Sequence, residues 1–346
     1  MQAFQLVAWQ QPPALREVPV PEPGPGQVLV KVGGAGACHS DLHLMAAPAG
    51  GAPFALPFTL GHENAGWVER TGPGVAGLAP GDPVLVYGPW GCGHCVRCRQ
   101  GAENYCENAG GTTPGGGLGH DGGMAPYMLV PSARFLVPLG GLDPRDAAPL
   151  TDAGLTSYHA VKRSLPLLGS GATAVVIGAG GLGQMAIQIL RTLSAATTVI
   201  AVDSAPEKRA IALELGADDA VASGEDAVRR VRDVTRGQGA QLVLDFVGID
   251  ATLALAAQMA RALGHLTIVG IGGGKLPVGF GSPAHECAVS APYWGSLPEL
   301  MEVVELARSG RLRMRVEHYR LEQAAEVYRR LHEGRIAGRA VVVPNG

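Results

Sequence analysis

The chain has 346 residues, 47% of them hydrophobic, and a formal net charge of −3. That length favours two hydrophobic cores over one, the composition is globular, not disordered, and the charge offers no electrostatic ground for binding nucleic acid or an acidic membrane. Gly, Pro, Arg or Asp interrupts every apolar run well short of the ~20 residues a membrane span requires, and MQAFQLVAWQQPPALREVPV lacks the basic start and sustained apolar run of a secretory signal, so a cytoplasmic protein is expected.

Residues up to about 150 read as short strands and turns. QVLVKV at 27–32 alternates like a half-buried strand after the turn-rich PVPEPGPG, and Val84-Leu85-Val86 follows the turn signal Pro80-Gly81-Asp82-Pro83. From about residue 155 the texture changes. TAVVIG at 173–178 is a buried-type strand, and a glycine turn leads into LGQMAIQILRTL at 182–193, apolar at helical spacing. Val199–Val202 is the next strand, PEKRAIALELG at 206–216 opens with Pro and closes with Gly as a helix does, and LVLDF at 242–246 and LTIVG at 266–270 flank an apolar helix near 251–263. Alternating strands and helices imply a parallel sheet covered on both faces. Helices near 297–309 and 321–332 and the strand Ala340–Val343 form a tail too small to be a domain. The expected organisation is therefore a catalytic domain over 1–152, a cofactor domain over 153–293 inserted into it, and a return to the first domain over 294–346.

Gly178-Ala179-Gly180-Gly181-Leu182-Gly183 satisfies G-x-G-x-x-G, a weak signal alone in a chain with 51 glycines. Here it follows a strand, opens a helix, and has Asp203 twenty residues beyond Gly183 at the end of the next strand. Glycines let a pyrophosphate approach the helix N-terminus, and the acid accepts hydrogen bonds from the adenosine ribose. A carboxylate at Asp203 would repel a 2′-phosphate and no arginine follows it immediately, which favours NAD over NADP; Lys208 either reaches the same ribose or stands on a solvated helix face.

Cys92, Cys95, Cys98 and Cys106 are spaced C-x2-C-x2-C-x7-C, a set that closes a tetrahedral zinc. A zinc-ribbon nucleic-acid module would need paired knuckles in basic or aromatic surroundings, and Arg97 and Arg99 alone make a poor footprint. A second, dispersed set comprises Cys38 in CHSDLH, His62-Glu63 in GHE and Asp152 in LTDAG. Singly each has a plainer reading: a buried thiol, a hydrogen-bonded histidine, a helix cap. Together with a dinucleotide fold they suit alcohol oxidation, in which a Lewis acid lowers the pKa of the alcohol and hydride leaves to nicotinamide.

The stretch Gly61 to Val75 reads GHE-x2-G-x5-G-x2-V. With Cys38-His39-Ser40-Asp41, the four-cysteine lobe at about 90–110 and GAGGLG, it resembles the zinc-containing medium-chain alcohol dehydrogenase family along essentially the full chain. GPWGCG at 88–93, LTDAGLT at 150–156 and PYWG at 292–295 make it most similar to bacterial NAD-dependent secondary-alcohol dehydrogenases. The resemblance implies an α/β protein in which a Rossmann doubly wound parallel sheet is joined to a GroES-like, mainly β catalytic domain. It implies two zinc ions per chain, a catalytic one on Cys38, His62 and Asp152 with an open fourth position, and a structural one on the four clustered cysteines. Asp152 stands where many members have Cys. Glu63 would lie beside the metal and ligate it transiently, and Asp41 would hold the zinc histidine from behind. Ser40 and His43 match a proton relay, although His43 can equally be a surface bystander.

His39, in place of an arginine found in some members, and Arg339 correspond to groups near the pyrophosphate, and Phe246, Val269 and Ile271 complete the expected cofactor contacts. Phe54, Tyr293 and Trp294 are candidates for an apolar substrate pocket or for plain core aromatics. The expected function is reversible NAD-linked oxidation of alcohols, secondary ones in particular, to ketones or aldehydes. A zinc-dependent polyol or sugar dehydrogenase shares nearly all these motifs, and a non-catalytic NAD-binding structural or sensor protein would keep the fold without needing the dispersed ligands. A homodimer or homotetramer is expected, with the segment near 276–294 as an interface strand.

Overall fold

In the computed structural model, which describes residues 1–346, the chain separates into two compact units: Met1–Leu155 with Trp294–Gly346, and Thr156–Tyr293. The first is built on a seven-stranded sheet. Its order is Leu136–Pro138, Pro83–Val86, Glu63–Thr71, Val28–Ala37, Arg339–Val342, Val316–Tyr319, with Tyr127–Val130 pairing the start of Val28–Ala37. A smaller sheet joins Gln2–Leu6 to Ala14–Glu17 and Phe58–Thr59.

Val28–Ala37 does not alternate as its sequence suggests: every residue but Lys31 is buried. The reason is its central position, with Glu63–Thr71 along one edge and Tyr127–Val130 and Arg339–Val342 sharing the other. Pairing of Gly36 with Glu63 and of Ala37 with Ala340 sets three strand ends side by side. Cys38, His62-Glu63 and Arg339 stand at those ends. The C-terminal tail thus completes the sheet of the first unit.

The second unit holds a six-stranded, wholly parallel sheet in the order Asp219–Val221, Thr198–Val202, Thr173–Ile177, Ala240–Asp245, Ala260–Ile268, Ala288–Ser290. Numbered along the chain this is 3-2-1-4-5-6, the Rossmann order, with its switch point between the first and fourth strands. Val175, Ile177, Ile200, Val202, Val243 and Leu266 form the sheet side of a core closed by Val231, Ala256 and Met259. The helix Gly181–Leu193 buries Met185, Ile187, Ile189 and Leu190. The next helix, Pro206–Glu214, is ended by Gly216 at φ +106°.

One boundary differs from expectation. The helix near 251–263 ends at Met259, and Ala260 already pairs with Ala240 as the first residue of the strand Ala260–Ile268. No Gly or Pro marks the change, because ATLALAAQMARAL is apolar enough for either state, and the irregularity falls later, at Leu263 with φ +59°. No helix is long and apolar enough to cross a membrane.

Two glycines of the same loop have different tasks. A Cβ on Gly183 would collide with the carbonyl oxygen of Gly178, whereas one on Gly180 meets nothing within 4 Å. Gly183→Ala should therefore lower the thermal midpoint by several degrees although alanine favours helix, while Gly180→Ala leaves it within about one degree; equal midpoints in calorimetry for the two variants would refute this account of the turn.

Candidate metal centres and cofactor loop

Cys38 occupies the N-cap of the helix His39–Ala46 in extended conformation, and Asp41 on the first turn accepts its backbone N–H at 3.1 Å. The other oxygen of Asp41 meets His62 Nδ1 at 2.8 Å. Bonding at Nδ1 turns Nε2 toward Cys38 and Asp152. Asp152 Oδ2 lies 3.5 Å from Cys38 Sγ and 3.6 Å from His62 Nε2. Donor atoms of Cys38, His62, Glu63 and Asp152 all fall within 4.8 Å of one another. Ligands bound tetrahedrally at ~2.0–2.3 Å from an ion stand roughly 3.3–3.8 Å apart, so the cluster fits a zinc ion.

Charge leads to the same conclusion. Cys38, Asp41, Glu63 and Asp152 can each carry a negative charge, and Arg339 is the one guanidinium among them. Glu63 is fully buried and bound by Arg339 through Nε and Nη2, and Arg339 Nη2 lies 3.7 Å from Asp152. Gly36 leaves no room for a Cβ against the Glu63 carboxylate, which is why glycine stands opposite it. Burial pushes the Cys38 thiol up, but Arg339 and the bond with His62 bring it below its ordinary value. Burial pushes the His62 imidazole down, yet Asp41 first and Asp152 after it hold it well above the usual range. The pocket holds excess negative charge that a cation would neutralise.

Ser40 Oγ is 3.3 Å from His62 Nε2, and exposed His43 is one turn further along the same helix. His39 is exposed at the first position of that helix. Arg339, expected near a pyrophosphate, binds Glu63 and lies 3.7 Å from Asp152. Trp294 is only 5% exposed: its ring meets His62 edge-on at 5.7 Å, its Nε1 donates to Thr151 O at 2.6 Å, and Gly88 leaves it space. Phe54 is half-buried with its ring edge-on to Phe58, and Tyr293 is half-buried at the end of the second unit. Tyr328 was not among the residues singled out from sequence. Its hydroxyl donates to Asp41 Oδ2 at 2.8 Å, and burial, then the charge of Asp41, push its phenol well up, so it remains a donor.

Cys92, Cys95, Cys98 and Cys106 likewise bring their sulfurs within 4.8 Å of one another. Cys92 and Cys98 are 3.9 Å apart, against ~3.8 Å for two thiolates on one tetrahedral zinc. Backbone N–H groups of Cys95, Cys98 and Cys92 point at the sulfurs of Cys92, Cys95 and Cys106, each at 3.4 Å. Backbone bonds at His94 and Cys95 bring the Cys92 thiol down to about 5, while burial pushes Cys98 up to about 12. Arg134 ties the lobe down by binding Glu103 and the carbonyl of Gly91.

In the second unit Asp203 braces the glycine loop, accepting the N–H of Ala179 at 2.8 Å and that of Ala205 at 2.9 Å. Each carboxylate oxygen keeps a lone pair for a ribose hydroxyl. Gly178 has φ +89°, and Gly180 is the N-cap of the helix that Gly181, Leu182 and Gly183 open. Lys208 is half-buried on the helix that follows. Its neighbour Arg209 donates to the backbone carbonyls of Asp203 and Ser204, both at 2.9 Å. The helical turn brings it back across six residues of sequence. Phe246 and Val269 are half-buried just beyond the strands Ala240–Asp245 and Ala260–Ile268, and Ile271 is 54% exposed.

Residues 24–141 match the alcohol dehydrogenase GroES-like domain, and residues 181–309 match the zinc-binding dehydrogenase domain. A D-arabinose 1-dehydrogenase (NADP(+)) of Saccharolobus solfataricus is 36% identical over 99% of this chain and 97% of its own length. An NAD-dependent alcohol dehydrogenase of Sulfurisphaera tokodaii is 37% identical over 99% of this chain and all of its own. The crystal structure of the alcohol dehydrogenase from Aeropyrum pernix superposes with a TM-score of 0.92 at 37% identity, over 99% of this chain and 100% of that one. With both domains matched and relatives alike from end to end, the chain belongs to the zinc-containing, medium-chain alcohol dehydrogenase family, oxidoreductases that act on alcohols.

Proposed function

We propose that the protein catalyses reversible NAD-linked oxidation of alcohols, secondary ones in particular, to ketones or aldehydes, with one zinc on Cys38, His62 and Asp152 and a second on Cys92, Cys95, Cys98 and Cys106. The observation that carries this reading is the mixed cluster of sulfur, nitrogen and carboxylate donors, buried with more negative charge than Arg339 balances. A metal ion there supplies the Lewis acidity that makes an alcohol O–H acidic enough for hydride to leave to the nicotinamide. Ser40, within hydrogen-bonding reach of His62, is suited to take the alcohol proton, and exposed His43 to release it to solvent. Asp41 keeps His62 in the tautomer that offers Nε2. Gly178, Gly180 and Gly183 would cradle the pyrophosphate and Asp203 the ribose. Thiol-rich metal sites suit a reducing compartment, in keeping with the cytoplasm. The sheet-edge strand Ala288–Ser290, with Phe280 94% exposed in the segment that precedes it in sequence, supports a homodimer or homotetramer.

A sugar or polyol as substrate is the second reading, favoured by the relative named as a D-arabinose dehydrogenase. Comparing kcat/KM on simple secondary alcohols, polyols and aldoses separates the two.

Cys38→Ala should lower kcat by at least about 10³-fold, matching the several kcal/mol a Lewis acid contributes, with NADH affinity within about threefold of wild type. Wild-type turnover in that protein without metal would refute the mechanism. Removing the Asp203 carboxylate with Asp203→Ala should reduce the NAD/NADP ratio of kcat/KM about tenfold or more; an unchanged ratio would count against the assignment. Metal analysis should find about two zinc ions per chain. Cys106→Ala should give up one of them, with a lower thermal midpoint but measurable turnover in the cold; loss of both ions together would contradict separate tasks for the two sites.

A further inference from the structure

Tyr328 lies on the helix Ala324–His332 in the buried stripe Ala324, Val327, Tyr328 and Leu331. By position it is a core aromatic, its ring stacked on Phe4 at 6.1 Å and 14°. Phenylalanine would make that contact equally well. The hydroxyl is the difference, since a buried phenol needs a partner. It donates at 2.8 Å to Oδ2 of Asp41, which is 0% exposed and comes from 287 residues earlier in the chain. Through Oδ1 that carboxylate holds the His62 ring, and through Oδ2 it holds the backbone of Cys38. Carboxylate torsions are soft. Strong donors on both oxygens pin the plane of the carboxylate and, through it, the direction of His62 Nε2.

We propose that Tyr328 is a positioning residue for the mixed metal site, acting through Asp41 on His62. This rests on the reading that Cys38, His62 and Asp152 bind the metal. The sequence of bonds runs from the Tyr328 hydroxyl to Asp41, from Asp41 to His62 Nδ1, and from His62 Nε2 to the metal. Outer partners of metal-binding histidines typically govern affinity by ~10–100-fold, and a link one bond further out should fall near the lower end. The C-terminal tail therefore contributes a bond that orients a ligand as well as a strand and Arg339.

Tyr328→Phe removes only the hydroxyl. Two readouts are required: the rate at which EDTA strips metal from the mixed site, and the visible spectrum of cobalt(II) substituted there. The variant should lose that metal about tenfold faster and shift the cobalt bands, while the four-cysteine site keeps its ion and the metal-free protein melts as wild type does. In an Asp41→Asn background the same substitution should add nothing further. An unchanged stripping rate and spectrum would overturn the proposal. So would an effect that persists undiminished in the Asp41→Asn protein, or one matched by a lower midpoint of the metal-free protein, which would make Tyr328 a packing residue. If His62→Ala retained metal at the mixed site, the ligand assignment itself would fail, whatever Tyr328→Phe does.

Discussion

Burying Asp41 and Glu63, with Asp152 half-buried beside them and a thiol, around one guanidinium is costly unless a cation joins them, because desolvating each charge costs several kcal/mol. Every group in the pocket answers that constraint in its own way. Asp41 has three donors, from Cys38, His62 and Tyr328. Glu63 is neutralised by Arg339. Cys38 and Asp152 turn their donor atoms toward each other and toward His62, Asp152 Oδ2 standing 3.5 Å from Cys38 Sγ and 3.6 Å from His62 Nε2. On the proposed assignment, these are the donors that would hold the metal.

The geometry that collects these charges is a matter of β-register. The pairing of Gly36 with Glu63 and Ala37 with Ala340 brings Cys38, His62 and Arg339 to one edge of the sheet. A slip of one residue would turn each side chain to the opposite face. Glycine at position 36 is then required, since any Cβ would occupy the space of the Glu63 carboxylate. Stability of the sheet and competence of the site are therefore coupled through a few central residues, whereas the four-cysteine lobe is held separately by local N–H bonds to sulfur and by Arg134.

Legibility in the sequence followed the range of the interactions. The glycine loop with Asp203 and the four-cysteine lobe are local: spacing marks the cysteines, and spacing together with the flanking strand and helix marks the loop. Cys38, His62 and Asp152 are spread over more than a hundred residues, so only their resemblance to a family pattern joined them. Tyr328 was hidden because a tyrosine on an apolar helix stripe announces packing, and its hydroxyl acquires meaning only when the tail folds back to Asp41. Arg209 was hidden for a smaller reason, a helical turn that returns it to the carbonyls of Asp203 and Ser204. The buried strand Val28–Ala37 was misread as half-exposed because one lysine in a run of apolar residues looks like alternation until both neighbouring strands are in place.

The Arg339–Glu63 pair also decides how a cluster with four donors can behave as a site with three. A carboxylate bound through both oxygens by a buried guanidinium would have to surrender a charge-assisted pair before turning to a metal, an exchange disfavoured by a few kcal/mol when the arginine has no other anion to meet. Arg339 does have one, Asp152 at 3.7 Å. Its two acidic neighbours, Glu63 and Asp152, therefore both lie within reach of one guanidinium, which would stay paired if either carboxylate turned to a metal. In the four-cysteine lobe the sulfurs of Cys92, Cys95 and Cys106 already accept N–H donors and no guanidinium competes for them. On the proposed assignment the mixed set would be able to exchange a ligand and the four-cysteine set would keep all four.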